Sequence, residues 1–520
     1  VTAEEWARHL APGATLTAAD LVAGGSLPAV WVAHWAAEPA RRVVHVGGTW
    51  CTAGELEERT RSAAGRLAAA GLGPGERVVW STATSLDAIV ACVGALRLGA
   101  VVVPVNSAYT ERELAHVVGD VRPAVAIVDR PVQAAWVAAA SGSGATAVVF
   151  PDLSRTGVAG RVAPADDQMG PGRTGGRSAA EPMLDRSGPD DAAMIVFTSG
   201  TTGAPKGAVL THANLLAGVR AVASAWRWSP DDRLVLALPL FHVHGLCAGL
   251  FGTLATGASA VVLDGFSAAG VLDAAERHGG TLFFGVPTMY RRLAESGRVA
   301  ELARLRLCVS GSAPLPAPLW ERVRADAGVA ILERYGMTET LLTVSNPYDG
   351  ERRPGTVGFP LPGVEVRTDG ADGGLLVRGP SVFGGYWERP AATDAAFDGG
   401  WFRTGDVVTE DTDGYLTVRG RQTDLIISGG YNVYPAEVED VLLGHPAVAE
   451  VAVVGVPSEE WGETVVAWVV PATASVPVAA LAEFAAARLA PYKRPREVHL
   501  VDALPRNAMG KVQRAELRRP

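Results

Sequence analysis

One stretch of ten residues constrains this chain more than any other. Thr198-Ser199-Gly200-Thr201-Thr202-Gly203-Ala204-Pro205-Lys206-Gly207 is a run of small hydroxylic residues and glycines that encloses a lysine. It follows the apolar run Ala192-Ala193-Met194-Ile195-Val196-Phe197, which predicts a strand. Glycines let backbone amides crowd an anion, hydroxyls add donors, and the lysine supplies a point charge. That combination suits a polyphosphate. A Walker-type loop is excluded, because it requires Ser or Thr after its lysine, and here Gly207 and Ala208 follow Lys206. A flexible Gly/Ser/Thr linker accounts for neither the preceding strand nor the enclosed lysine. The loop indicates phosphate and names no reaction.

At 520 residues the chain is too long for one core and calls for two or more domains. Hydrophobic residues at 48% and charged residues at 19% exclude a disordered chain. The net charge of −9 excludes a nucleic-acid surface unless one face is locally basic, and the arginines near the C-terminus read as a solvated tail. Cys51, Cys92, Cys247 and Cys308 are too scattered for a metal site or a disulfide framework, which predicts buried thiols in a reducing compartment. No apolar run reaches membrane-spanning length, and the first residues carry no secretory pattern. A cytoplasmic location is the expectation.

Between about residues 50 and 130 helical and strand patterns alternate, which argues for a parallel sheet with crossover helices. Residues 157–190 are rich in Gly, Pro, Ser and Asp and read as an exposed linker. After the loop the alternation resumes with strands at 234–238, 258–263, 282–286 and 305–309. From about 355 to 420 short strands with glycine turns predict a β-rich subdomain. The boundary falls at residue 420: residues 1–420 form the large N-terminal domain and residues 421–520 a small α+β domain.

Four further clusters follow in order: Tyr335-Gly336-Met337-Thr338-Glu339-Thr340; Trp401-Phe402-Arg403-Thr404-Gly405-Asp406; Gly420-Arg421 through Gly429-Gly430-Tyr431-Asn432-Val433-Tyr434-Pro435; and Pro505-Arg506-Asn507-Ala508-Met509-Gly510-Lys511. Glu339, in a polar turn, offers a hard oxygen ligand of the kind Mg²⁺ takes. Asp406, after a glycine turn, suits two hydroxyl donors. Each carboxylate taken alone also reads as an ordinary exposed turn residue, and Lys511 as a solvated terminal lysine.

Taken together, these motifs and the phosphate loop resemble the adenylate-forming superfamily of acyl-CoA synthetases, luciferases and peptide-synthetase adenylation domains, over roughly residues 50 to 515. The resemblance implies an α/β fold: a large N-terminal domain of parallel sheets wrapped by helices, a β-rich subdomain, and a small mobile α+β C-terminal domain. It implies ATP, Mg²⁺ and coenzyme A as cofactors and a small carboxylic acid as substrate. By resemblance, Thr198, Ser199, Gly200, Thr201, Thr202 and Lys206 hold phosphate, Tyr335 and Gly336 flank the adenine, and Asp406 and Arg421 hold the ribose. Thr338 and Glu339 serve the phosphate and the metal. Lys511 neutralises charge on the α-phosphate while a carboxylate attacks. Gly429, Gly430 and Tyr431 approach the thiol once the C-terminal domain has turned. Where relatives hinge on Asp or Lys, this chain has Thr423, which is β-branched and stiffer, so thioester formation is expected to depend on its neighbours.

For the acid, His242 of Pro239-Leu240-Phe241-His242-Val243-His244-Gly245-Leu246 is assigned to the acyl site by resemblance. The segments around Arg292, Ser310 and Met337 are most similar to malonyl-CoA synthetases. That similarity gives Arg292 the second carboxylate of a short dicarboxylic acid, which a guanidinium can hold by two bonds; a solvated helix arginine is the alternative. A bulkier biosynthetic acid remains open. Other readings are an enzyme that passes its acyl-adenylate to a separate acceptor protein, and a non-catalytic nucleotide-binding scaffold. Retention of Lys206, Glu339, Asp406 and Lys511 together argues against the scaffold.

Overall fold

The computed structural model describes residues 6–142, 146–152, 156–158, 161–162, 182–198, 205–369, 373–428, 431–458, 461–472, 477–506 and 511–518. Among them, two nine-stranded sheets with flanking helices fill the large N-terminal part. In the first, Leu332–Met337, Leu307–Ser310, Leu282–Gly285, Arg233–Leu236, Ser259–Val262 and Arg42–Val46 lie side by side in parallel. In the second, the parallel strands are Ala192–Thr198, Val101–Pro104, Arg77–Ser81, Val125–Val128 and Ala147–Val149. Parallel strands are covered on both faces and therefore read as unbroken apolar runs. Val125, Ala126, Ile127 and Val128 are all fully buried.

The helices begin where the sequence supplies caps. Thr52 and Glu55 form a reciprocal capping box at the start of Ala53–Ala69. That helix packs through Ala63 and Ala64 on Leu86–Arg97, where a Cβ at Gly94 would stand only 2.9 Å from the Ala63 Cβ. Glycine there sets how closely the two helices approach.

The β-rich segment is an antiparallel five-stranded sheet built from Glu365–Asp369, Gly374–Arg378, Phe397–Asp398, Trp401–Glu410 and Leu416–Arg421. The last part of the chain has its own sheet of Ile426–Ser428, Tyr431–Val433, Val448–Ser458, Gly462–Pro471 and Glu497–Leu500. The helices Pro435–Leu443 and Val478–Ala486 contribute Val438, Leu442 and Leu481 to a separate core with Val453 and Ala467. The α/β class and its small α+β C-terminal part are as expected.

The segment 157–190, expected as an exposed linker, is partly built into the fold. Strands Thr156–Val158 and Arg161–Val162 extend the second sheet. Asp185 is held by the buried Arg97, whose Nη2 lies 2.9 Å from Asp185 Oδ2. A buried guanidinium needs anionic partners, and that need ties the end of this segment to the fold; residues 163–181 lie outside the described residues. No helix among the described residues is long and apolar enough to cross a membrane.

Candidate active site

Strands of both sheets lead into the segments that carry the expected site residues. Arg233–Leu236 leads toward His242, Leu307–Ser310 into Gly311 and Ser312, and Leu332–Met337 into Thr338 and Glu339. In the second sheet Ala192–Thr198 leads into the phosphate loop. The carboxyl ends of strands are where open α/β sheets receive ligands.

On one side, two side chains converge on Asp406. It faces Arg421 across an antiparallel pair of strands. Arg421 Nε lies 2.9 Å from Oδ1, and the Tyr335 hydroxyl donates to Oδ2 at 2.5 Å. Burial, then the nearby Asp406 charge, raises the Tyr335 phenol, so it stays a donor. Asp406 is 5% exposed, so it is a fixed acceptor. Gly336 is required by the backbone, since a Cβ there would collide with the Leu341 carbonyl. Residue 511 is exposed overall, yet its ammonium is desolvated by the groups around it. Burial and Arg421 lower the Lys511 pKa while Asp406 and Asp424 pull it upward. Lys511 therefore stands within electrostatic reach of the Asp406 cluster.

The side expected to take phosphate is built on a hairpin. Lys206 pairs with Thr198 in antiparallel register, so the loop between them closes a two-stranded ribbon. The Lys206 ammonium sits 5.1 Å from the Tyr386 ring centre, and the Tyr386 hydroxyl donates to Glu339 Oε1 at 3.0 Å. Burial raises the Glu339 carboxyl above its ordinary value. The chain Lys206–Tyr386–Glu339 joins the loop to the acidic turn. Thr338, beside Glu339, is half-buried. Ser199, Gly200, Thr201 and Thr202, with Gly429 and Gly430, lie outside the described residues. Among the described residues no group of three or more His, Cys, Asp and Glu gathers for a metal. The fitting donor is thus a single hard carboxylate, which suits an ion that takes most of its ligands from phosphate and water, as Mg²⁺ does.

The third side, around His242, gathers buried polar groups about one arginine. Strand alternation sends Glu333 and Arg334 to opposite faces. Glu333 Oε1 accepts the Leu315 amide at 2.8 Å, and burial pushes its carboxyl up to about 8. Arg334 is 5% exposed, and its Nε and Nη2 have no hydrogen-bond partner among the described residues. Burial alone lowers it to about 10. Its guanidinium lies over Gly311, where any Cβ would strike it.

His242 and His244 both feel the Arg334 charge. Burial, then Arg334 and Lys511, push His242 down to about 4; burial, Arg334 and His242 push His244 well below its ordinary value. Both imidazoles are neutral near pH 7. Ser312, held at φ +68°, shares a hydrogen bond of 3.2 Å with His244 Nδ1. A non-glycine residue in that region stores strain of the kind found at functional sites. His244 opens a π-helical stretch, His244–Phe251, another local irregularity common at such sites. The Ser310 hydroxyl is buried without a partner among the described residues. Met337 is half-buried and lies 3.9 Å from the Tyr335 hydroxyl through its sulfur.

Other expected residues are placed apart. Arg292 is exposed on the last turn of the helix Pro287–Glu295. Tyr431 is 58% exposed and stacks on Tyr492 at 4.6 Å. Thr423 lies in the turn Gln422–Asp424, where its carbonyl accepts Arg518 Nη2 at 3.3 Å and Asp424 pairs with the same group at 3.1 Å. The sequence motifs give no role to Arg334 or Tyr386. A charged residue inside the otherwise buried strand after Ile331 and Leu332 was the available signal for Arg334; Tyr386 offered none.

A family model described as AMP-binding enzyme matches residues 32–387, and one described as AMP-binding enzyme C-terminal domain matches residues 437–511. A feruloyl-CoA synthase of Amycolatopsis sp is 38% identical over 499 residues, covering 92% of this chain and 96% of the relative. A mitochondrial malonate–CoA ligase of Bos taurus is 42% identical over 383 residues, covering 64% of this chain and 65% of the relative. The crystal structure of ATP-bound MatB from Rhodopseudomonas palustris is similar with a TM-score of 0.85 and 38% identity, covering 95% of this chain and 98% of that one.

Proposed function

The chain belongs to the AMP-binding enzyme family, and from that premise we propose that the acid it activates is a short dicarboxylate such as malonate or methylmalonate. It is an ATP-dependent, AMP-forming acid–CoA ligase that uses ATP, Mg²⁺ and coenzyme A. One observation carries the substrate reading: the buried Arg334 guanidinium, with Nε and Nη2 free of partners among the described residues, beside His242. A buried charge without a counter-ion costs several kcal/mol, and a carboxylate that meets the fork of Nε and Nη2 removes that cost. Arg334, rather than the exposed Arg292, is then the first partner of the second carboxylate. Ser310 and Met337 complete the acyl wall.

In the first half-reaction an oxygen of the other carboxylate attacks the α-phosphorus, the bond to pyrophosphate breaks, and an acyl-adenylate forms. In the second the thiol sulfur of coenzyme A attacks the acyl carbon and AMP leaves. No side-chain nucleophile is needed; the residues align and neutralise. Thr198, the loop residues 199–202 and Lys206 bind the phosphates, and Thr338 and Glu339 stand beside them. Glu339, together with the phosphates, would hold Mg²⁺, whose charge would neutralise the phosphate oxygens. Asp406 and Arg421 fix the ribose, Tyr335 and Gly336 the base, and Lys511 meets charge on the α-phosphate. His242, neutral at pH 7, leaves the attacking carboxylate without a competing counter-ion.

The domain boundary at 420/421, a hinge at Thr423, and a later approach of Gly429, Gly430 and Tyr431 to the thiol belong to the same proposal, as does a cytoplasmic location. A second reading, a bulkier aromatic acid, is favoured by the likeness to the feruloyl-CoA synthase along nearly the whole chain. A separate acyl-acceptor protein would replace only the thiol.

The deciding experiment assays malonate, methylmalonate, acetate and ferulate for both pyrophosphate release and acyl-thioester, in the native enzyme and in Arg334→Met and Arg292→Ala. The proposal requires malonate or methylmalonate to be preferred and that preference to fall with Arg334→Met. Preference for ferulate, or unchanged malonate turnover in Arg334→Met, rejects it.

A further inference from the structure

Glu450 joins two parts of the molecule through one carboxylate. It lies near the start of the strand Val448–Ser458 in the C-terminal sheet. Its Oε1 accepts Arg291 Nη1 at 2.6 Å, and its Oε2 accepts Arg506 Nη2 at 2.7 Å. Arg291 belongs to the helix Pro287–Glu295, which directly follows Leu282–Gly285 in the large sheet. Arg506 pairs with Val512 in an antiparallel bridge, and the Gln513 amide donates to the Pro505 carbonyl at 2.9 Å. Arg506 therefore stands across a bridge from Val512, the residue next to Lys511. The side chains of Arg291, Glu450 and Arg506 are 29%, 23% and 30% exposed, so both ion pairs are partly shielded from water.

We propose that Glu450 is a positioning residue for Lys511, holding Arg506, and through its bridge to Val512 the neighbouring lysine, against the helix of Arg291 while the adenylate forms. The proposal rests on the reading of Lys511 as the lysine of the first half-reaction. Two partly shielded ion pairs on one carboxylate bias an orientation without fixing it permanently. Of the two, the Arg291 pair is the one that crosses between the parts, and releasing it removes one tie between the C-terminal part, with its lysine, and the large sheet. Arg291 is thereby distinguished from its neighbour Arg292: adjacent helix positions point about 100° apart, and of these two it is Arg291 that pairs with Glu450.

The test separates the half-reactions in the purified full chain. Pyrophosphate exchange with malonate, or with ferulate should the acid panel select it, reports the first. Thioester formation from the supplied acyl-adenylate and coenzyme A reports the second. Arg291→Met is expected to lower the kcat of exchange about three- to tenfold, to leave KM for ATP within about twofold, and to leave thioester formation equal or faster. Glu450→Gln reproduces this pattern, and Arg291→Lys recovers most of the exchange. Unchanged exchange in Arg291→Met and Glu450→Gln, or equal loss of both half-reactions, overturns the proposal. Lys511→Ala is assayed in parallel; normal exchange in that variant sinks the reading of the lysine itself, whatever the Glu450 variants do.

Discussion

The guanidinium of Arg334 rests on the bare backbone of Gly311, in a space that a single methyl group would fill. Gly311 follows the strand Leu307–Ser310 and Arg334 lies in the next strand of the same sheet, so sheet register brings them together. Gly311→Ala is therefore expected to displace the guanidinium and to lower kcat/KM for malonate about tenfold or more, since a misplaced binding group costs on that scale. Acetate, which has no second carboxylate, should be affected less. Equal losses for both acids would show that the methyl group disturbs the pocket generally.

Asp406 accepts from both Tyr335 and Arg421. Asp406→Asn keeps the shape and removes the charge, and hydrogen bonds to charged groups are worth about 1.5–3 kcal/mol. Affinity for ATP measured by calorimetry should fall roughly ten- to a hundredfold. Affinity within about twofold of the native value would remove Asp406 from the nucleotide site.

Lys511→Ala should abolish most pyrophosphate exchange, by about a hundredfold or more, the scale for loss of one charge-stabilising group. ATP binding should stay within about threefold. Weak binding with normal turnover would reverse the role assigned to the ammonium.

The Glu333 carboxyl is raised from 4.5 to about 8 by burial. It stays protonated in the folded chain while the unfolded chain ionises above 4.5. Its contribution to stability is complete below that value and is lost as pH rises toward 8, by up to about 1.4 kcal/mol per pH unit. His9, His212 and His242, lowered from 6.5 to about 4, act in the opposite sense: their contribution is complete above 6.5 and is lost as pH falls toward 4. Thermal scans should therefore give a Tm that falls on both sides of mildly acidic pH. Glu333→Gln should flatten the alkaline side, and parallel native and variant profiles between pH 5 and 8 would contradict this.

Thr423→Asp should raise the rate of thioester formation from supplied acyl-adenylate severalfold if the β-branched residue limits rotation. Exchange should change little. A flat thioester rate would move the hinge to Asp424 or its neighbours.

Much of this was present in the chain as a string. The hydroxyl-and-glycine loop after an apolar strand, the alternation that becomes the parallel centres of two sheets, and the order of the clusters ending in Lys511 are short-range patterns. Strand and helix periodicity, turn chemistry and motif spacing are set by neighbours within a few residues, so a single sequence carries them. Tertiary structure decided which charges lose water and what they meet. Arg291, Arg292 and Arg334 are alike as letters, yet Arg291 pairs with Glu450, Arg292 faces solvent, and Arg334 is buried over Gly311. Desolvation and pairing depend on segments tens to hundreds of residues apart, and they are fixed only when the sheets and the C-terminal part pack together.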